Sequence, residues 1–369
     1  MSNRLVKMVS VTAFCGAAWG CSSSSKGITK VVDAAGTPGM DTVISQVVDA
    51  EVPASADTAV LPSVDTGRAD GRADSGTGGA VAATNRGFPA TSPFLVYYDT
   101  AESLGDLSAM ANKFRIIDID VDPGLGNYTK EQVTTLKGGG KNRVLGYMNL
   151  GACENFRAYW ATAPTGFVSC SANKTAQLGT YEGWPNETWM NLGNADYQKL
   201  VVEYMAPNVA SLGVDGFYFD NLDIVDHGTA TTNGPCNGAC VQGALDTVRK
   251  LREKYPNFLF VMQNAVGENT FAGTTGGVAF TSLLDGIVGE NTFTPLPNGD
   301  ASLLSDLLLW KGLGLKPGGR SFFIGTLEYL SSCTNTADLT KVVNLGTANG
   351  FTSYVSTESL DTICPYWLK

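Results

Sequence analysis

Apolar runs bounded by turn residues recur along residues 88–369, at 94–99, 115–122, 143–151, 216–223, 258–264, 286–293, 321–329 and 351–356. Their length and their wealth of β-branched and aromatic side chains read as strands. Most of the gaps carry a helical pattern instead, at 103–112, 129–137, 197–212, 243–254, 301–311 and 336–349. Strand alternating with helix implies a parallel sheet, and eight copies imply closure. The fold expected for 88–369 is therefore α/β, a single-domain (β/α)8 TIM barrel. No glycine-rich nucleotide fingerprint follows any of the runs, so an open dinucleotide-binding sheet has no support.

Several runs start apolar and end polar. Phe94-Leu95-Val96-Tyr97-Tyr98 leads to Asp99, Val144-Leu145-Gly146-Tyr147-Met148 to Asn149, Phe258-Leu259-Phe260-Val261-Met262 to Gln263 and Asn264, and Ile287-Val288-Gly289 to Glu290. The C-terminal ends of barrel strands are where such enzymes place their chemistry. Alternate residues of a barrel strand face inward. In 216–223 this parity sends Phe217 and Phe219 to the helices and Tyr218 and Asp220 to the interior. In 286–290 it places Glu290 on the inner set with Val288. Two carboxylates at one barrel rim form a candidate acid and nucleophile pair. On the second run Asp118, Asp120 and Asp122 share the inner face, which is unfavourable unless the upper ones reach solvent or a ligand.

Upstream of the barrel, Arg4 and Lys7 precede a mostly apolar stretch, residues 8–20, too short to span a bilayer as a helix. Residues 1–20 read as a signal peptide. The following Cys21, behind Ala18-Trp19-Gly20, resembles the lipidated cysteine of a bacterial lipobox, and Ser22 resembles an outer-membrane sorting signal. Trp19 departs from the usual pattern and leaves ordinary signal-peptidase cleavage, hence secretion, as the alternative. Residues 21–87 are rich in Ser, Thr, Ala, Asp, Gly and Val, without periodicity, and read as a disordered tether. The membrane is thus expected as a partner only through the N-terminal lipid.

Export changes the meaning of the cysteines. Beyond Cys15 and Cys21, six remain: Cys153, Cys170, Cys236, Cys240, Cys333 and Cys364. In an oxidising compartment they read as disulfides, and sequence order, among fifteen possible pairings, suggests 153–170, 236–240 and 333–364. A zinc site at Cys236 and Cys240 is the weaker alternative.

The chain's formal net charge is −10, of which −9 falls on residues 88–369, and its sequence pI is near 4.7. Nucleic acid is therefore not an expected partner. A single histidine, His227, rules out multi-histidine metal sites and leaves any imidazole-based triad with one option. Carboxylates are left as the candidates to do the chemistry.

These residues resemble glycoside hydrolase family 114, the endo-α-1,4-polygalactosaminidase-like barrel. The likeness rests on Val144-Leu145-Gly146-Tyr147-Met148-Asn149-Leu150-Gly151 with Glu154-Asn155-Phe156-Arg157, then Trp184-Pro185-Asn186-Glu187-Thr188-Trp189, then Leu212 to Asp223, then Gln263-Asn264. It implies hydrolysis of an α-1,4-linked galactosamine or N-acetylgalactosamine polysaccharide, with no metal or cofactor. It also implies an aspartate ending the fourth strand and a glutamate ending the sixth, which match Asp220 and Glu290. Ala152 stands where relatives commonly carry an additional Glu.

The chemistry of glycoside hydrolysis fits the same pair: one carboxylic acid protonates the leaving oxygen and one carboxylate attacks the anomeric carbon or activates water. Asp220 is expected as nucleophile and Glu290 as acid/base in a retaining, endo-acting, monomeric enzyme, with Glu268 a rival for the acid. Asp120, Tyr147, Tyr218, Asp223, Asn264 and Trp184 are candidates to bind substrate, with Trp189 able to stack on a sugar or fill the loop core. Two rivals remain: a lipid-anchored protein that binds glycan without cutting it, and a glycosidase of this fold acting on another sugar.

Overall fold

All eight apolar runs become strands of one sheet. The computed structural model describes residues 87–89, 93–316 and 320–369, so the expected signal peptide, Cys21 and tether lie outside the described residues. The strands are β1 (Phe94–Tyr97), β2 (Ile116–Ile119), β3 (Arg143–Asn149), β4 (Gly216–Asp220), β5 (Leu259–Gln263), β6 (Gly286–Glu290), β7 (Phe323–Tyr329) and β8 (Thr352–Ser356). They lie side by side in chain order, every neighbouring pair parallel. Beside the β1–β8 seam, the Tyr98 N–H donates to the Leu360 carbonyl at 2.9 Å. The architecture is the (β/α)8 barrel. The first six strands end before the expected runs do, because the polar residues at each run's end leave the ladder and turn into the rim loops, while β7 and β8 end where expected.

Helices fill the gaps where the sequence showed helical periodicity, among them Lys130–Leu136, Gly238–Lys254, Ala301–Lys311 and Thr336–Asn349. Side-chain caps fix their starts: Thr129 forms a capping box with Gln132, and Asn237, Asp300 and Asn335 each accept from first-turn N–H groups. The helix expected at 103–112 is broken into Ala101–Leu104 and Leu107–Lys113 by Gly105, whose φ of 86° no helix contains. The one expected at 197–212 runs as Ala195–Leu200 and Ala206–Ser211 around a π-turn, Val201–Met205, just ahead of Pro207, which has no N–H to donate.

Parity holds throughout β4. Phe217 packs outward on Tyr255 and Phe258, at ring separations of 5.1 Å each, while Tyr218 turns inward toward Phe94. The lower barrel is filled by rings: Phe94 meets Phe323 at 5.5 Å and Tyr354 at 6.3 Å. Close-packed aromatic layers give the rim a rigid floor. Two further acids brace the opposite end. Asp215 accepts from the Val144 N–H and pairs with Lys137 at 2.8 Å, and Asp285 accepts from the Phe260 N–H and pairs with Arg252 at 2.7 Å.

The largest of the elements that were not foreseen follows β3. Between β3 and β4 the chain builds a three-stranded antiparallel sheet from Ala152–Glu154, Gln177–Tyr181 and Trp184–Met190. Its alternation is interrupted by Gly179, Gly183 and Pro185, which hides the strands from a periodicity reading. The Cys153–Cys170 disulfide pins its first strand, and the other bridges are Cys236–Cys240 and Cys333–Cys364, all three in sequence order. Cys236 and Cys240 bond each other, so the zinc alternative falls.

Candidate active site

The fourth strand delivers Asp220 to the C-terminal rim, opposite Asn149 of β3. Three groups donate to its carboxylate: Tyr147 Oη to Oδ2 at 2.8 Å, Gln263 Nε2 to Oδ1 at 2.9 Å, and the Asn221 N–H to Oδ1 at 2.8 Å. The last is possible because Asn221 adopts a left-handed φ of 59°, turning the chain sharply after Asp220. Gly151 permits that turn, since a Cβ there would stand 1.7 Å from the Asn221 carbonyl oxygen.

Glu290 ends β6 in the same cleft. Asn264, itself at φ 58°, donates from Nδ2 to Oε2 at 2.6 Å and accepts the Glu290 N–H at 2.8 Å. Tyr329 Oη, from the end of β7, donates a short hydrogen bond to Oε1. Burial raises both carboxyls above their ordinary ranges. For Asp220 the charge of Glu290 raises it further, with Tyr147 and Asn221 pulling the other way; for Glu290 the opposing donors are Tyr329 and Asn264. The two carboxyls in one cleft resist ionising together.

Around this pair opens a cleft of about 570 Å³. Asp120, Tyr147 and Trp184 line it together with Asp220 and Glu290. Asp120 is already engaged: Arg157 Nη1 donates to it at 2.9 Å while binding Glu154 through Nε at 2.7 Å and Nη2 at 3.1 Å. The guanidinium also lies over the Tyr147 ring at 5.6 Å. Asp118, below, is sealed, with Tyr98 Oη donating to Oδ2 at 2.7 Å and nothing meeting Oδ1.

The remaining expected residues sit elsewhere. Tyr218 is fully buried under the floor and donates to Gln263 Oε1 at 2.6 Å, so it reaches Asp220 only through Gln263. Asn264 touches Glu290 but is not part of the cleft lining. Asp223 lies in the turn Leu222–Asp226 away from the lining, with its carboxyl pushed up to about 6 by burial and by Asp220. Glu268 opens the short helix Glu268–Phe271, exposed and off the cleft. Trp184 is 47% exposed on the cleft wall, whereas Trp189 is loop core, stacked on Tyr181 at 4.1 Å. His227 packs edge-on against that Trp189 ring at 4.8 Å, and its Nδ1 lies 3.0 Å from the Asn233 carbonyl.

Sequence reasoning passed over Tyr98, Glu154, Arg157, Glu187, Gln263 and Tyr329 as site residues. Tyr98, Gln263 and Tyr329 stand at strand ends, the same signal that marked Asp220. Glu187 enters from the antiparallel sheet: its Oε2 accepts from Asn149 Nδ2 and Asn221 Nδ2, both at 2.9 Å. Burial, then Glu154 and Asp220, push its carboxyl up to about 8. Among the described residues, no group of three or more His, Cys, Asp or Glu side chains is arranged to hold a metal ion.

Comparison with known proteins agrees with the barrel fold. The model of glycoside-hydrolase family GH114 matches residues 82–251. A search of curated proteins finds no match. Among solved structures, the glycoside hydrolase domain of PelA from Pseudomonas aeruginosa superposes with a TM-score of 0.55 at 14% identity, over 74% of this chain and 98% of that one. Ega3 from Aspergillus fumigatus, solved in complex with galactosamine, gives 0.54 at 15% identity, over 75% and 96%. At such identities these superpositions speak for the fold.

Proposed function

From the premise that this barrel belongs to glycoside-hydrolase family GH114 and is therefore a glycosidase, we propose that it is an exported enzyme that cleaves α-1,4-linked galactosamine or N-acetylgalactosamine polysaccharide within the chain, with retention, through Asp220 and Glu290. The observation that carries the reading is the pair itself: two inward carboxyls at the ends of β4 and β6, in one open cleft, each held by its own set of donors.

Three donors favour the anionic form of Asp220, which suits it to attack, and the acid role goes to Glu290. Glu290 then protonates the glycosidic oxygen as the C–O bond breaks, and Asp220 attacks the anomeric carbon. In the second half Glu290, now a carboxylate, takes a proton from water, which displaces Asp220 and returns the acid to its starting state. Arg157, nearly sealed, neutralises part of the charge of Asp120 and Glu154 and holds the wall of the cleft.

Export is supported by three disulfides on an otherwise cytosol-incompatible cysteine set. We place the anchor at Cys21, with the enzyme acting as a monomer at the bacterial surface; metabolic labelling with a palmitate analogue, lost in Cys21→Ala, tests that assignment. Product analysis by mass spectrometry tests the activity. Galactosamine polymers of graded acetylation should yield internal oligosaccharides with the wild-type protein and none with Asp220→Asn or Glu290→Gln. Tight binding of a polymer without any cleavage would replace the enzyme by a glycan-binding protein.

A further inference from the structure

The cleft holds more carboxyl groups than the reaction needs, and they are not alike. Asp120 and Glu154 are committed to Arg157, both oxygens of Asp220 and of Glu290 already accept hydrogen bonds, and Glu358 is exposed to solvent. Glu187 differs. Both of its amide donors, Asn149 and Asn221, meet the same oxygen, Oε2. No hydrogen bond from a described residue reaches Oε1, the residue lines the cleft, and no salt bridge to it is formed among the described residues.

Its position relative to Asp220 matters most. Asn149 is the cross-strand partner of Asp220 and Asn221 is its successor in the chain, so the two amides that fix Glu187 flank the carboxylate assigned to attack the sugar. In a 2-amino sugar the amine is carried by the carbon next to the anomeric carbon. A group that reads the amine must stand beside the group that attacks C1.

We propose that Glu187 is the specificity-determining residue of the cleft, binding the free 2-ammonium group of a galactosamine unit through Oε1 and thereby selecting deacetylated over acetylated sugar next to Asp220. The proposal rests on the galactosamine reading above and extends it to one position. Burial, then Glu154 and Asp220, push this carboxyl up to about 8 in the empty cleft, so that it keeps its proton in mildly acidic solution, with Tyr147 and Tyr181 the neighbouring phenols. An arriving ammonium supplies the countercharge that is missing. Glu187 then releases its proton to the solvent buffer and the ammonium keeps all of its own, leaving a carboxylate–ammonium pair. An N-acetylated unit brings no charge and drives no such release.

The test uses the full chain carrying Glu290→Gln, in which turnover is blocked without touching Glu187 or its partners. Binding of a fully deacetylated galactosamine oligosaccharide and of its N-acetylated counterpart is measured by titration calorimetry at pH 6, where the sugar amine is already charged, in two buffers of different protonation enthalpy. Close to one proton should be released per deacetylated oligomer bound and none per acetylated one. Adding Glu187→Gln should abolish the release and lower the ratio of the two affinities at least tenfold. Three results overturn the proposal: no binding of the deacetylated oligomer, binding without proton release, or equal weakening of both oligomers by Glu187→Gln. Binding with the expected release, but no cleavage by the wild-type protein, would sustain the role of Glu187 and reject only the assigned reaction.

Discussion

Replacing Tyr147 by Phe removes one hydroxyl and little else. The ring stays between Tyr98, whose centroid is 4.6 Å away, and the Arg157 guanidinium at 5.6 Å. What disappears is the 2.8 Å hydrogen bond to Asp220 Oδ2, one of three donors that lower this carboxyl against the upward push of burial and of Glu290. A hydrogen bond to a charged group contributes about 1.5–3 kcal/mol. Gln263 and Asn221 remain, so the lower part of that range applies, about 1.5–2 kcal/mol, or roughly 1–1.5 pH units at 1.36 kcal/mol per unit. The acidic limb of kcat/KM, which reports formation of the Asp220 carboxylate, should move to higher pH by that amount. On that limb activity falls about 10- to 30-fold, and it recovers toward the wild-type value as pH rises, until loss of the Glu290 proton ends the plateau. The assay is a pH profile of reducing-end release from the polymer. An unmoved acidic limb, or a loss equal at every pH, would refute the assignment of Asp220 as the group whose ionisation Tyr147 assists.

Other substitutions separate the remaining parts. Glu290→Gln should lower kcat by roughly a thousandfold, within the range expected for a lost general acid, and remove the alkaline limb; a retained limb would give the acid role to another residue. Asp118 is fully buried with one oxygen unmet, and burial raises its carboxyl well above the usual range, so its contribution to stability is whole in acid and declines as pH climbs from the unfolded value toward the folded one. Asp118→Asn should therefore flatten the fall in urea-unfolding free energy between pH 4 and pH 8, by about 1.4 kcal/mol for every pH unit that separates the folded from the unfolded titration of this carboxyl. Trp184→Ala, at a ring 47% exposed on the cleft, should raise KM for long oligomers about tenfold with kcat nearly unchanged, corresponding to about 1.4 kcal/mol of ring area covered by sugar.

Much of this was legible because a barrel strand obeys two simple rules. Inward and outward residues alternate, and the last inward residue reaches the rim; the first rule separated Tyr218 from Phe217, and the second found Asp220 and Glu290. The second rule holds equally at β1 and β7, where Tyr98 and Tyr329 stand at the strand ends and line the same cleft. Tyr218 lies one layer lower than parity suggests, since parity gives direction and not depth: its phenol stops at Gln263. Glu187 and Arg157 follow neither rule. They come from the long excursion between β3 and β4, where glycines and a proline obscure the strand pattern and where only tertiary packing decides which side chain turns back over the barrel.

Three strands in succession, β4, β5 and β6, are each followed by an asparagine in the left-handed region: Asn221, Asn264 and Asn291, with φ of 59°, 58° and 54°. Each also spends its side chain on the site. Asn221 holds Glu187, Asn264 holds Glu290, and Asn291 accepts from Thr294 Oγ1 and the Tyr329 N–H. The two demands exclude nearly every other residue. Glycine satisfies the backbone and loses the amide, any β-branched residue is strained, and aspartate, which would still accept at position 291, turns a donor into an acceptor at 221 and 264. These positions are accordingly brittle under mutation: most one-nucleotide changes there should harm the site more than most changes in the core, with Asn291→Asp the tolerated exception. In a mutational scan scored for activity, the rim would show three narrow minima in tolerance, one residue past each strand, next to but distinct from the catalytic carboxyls.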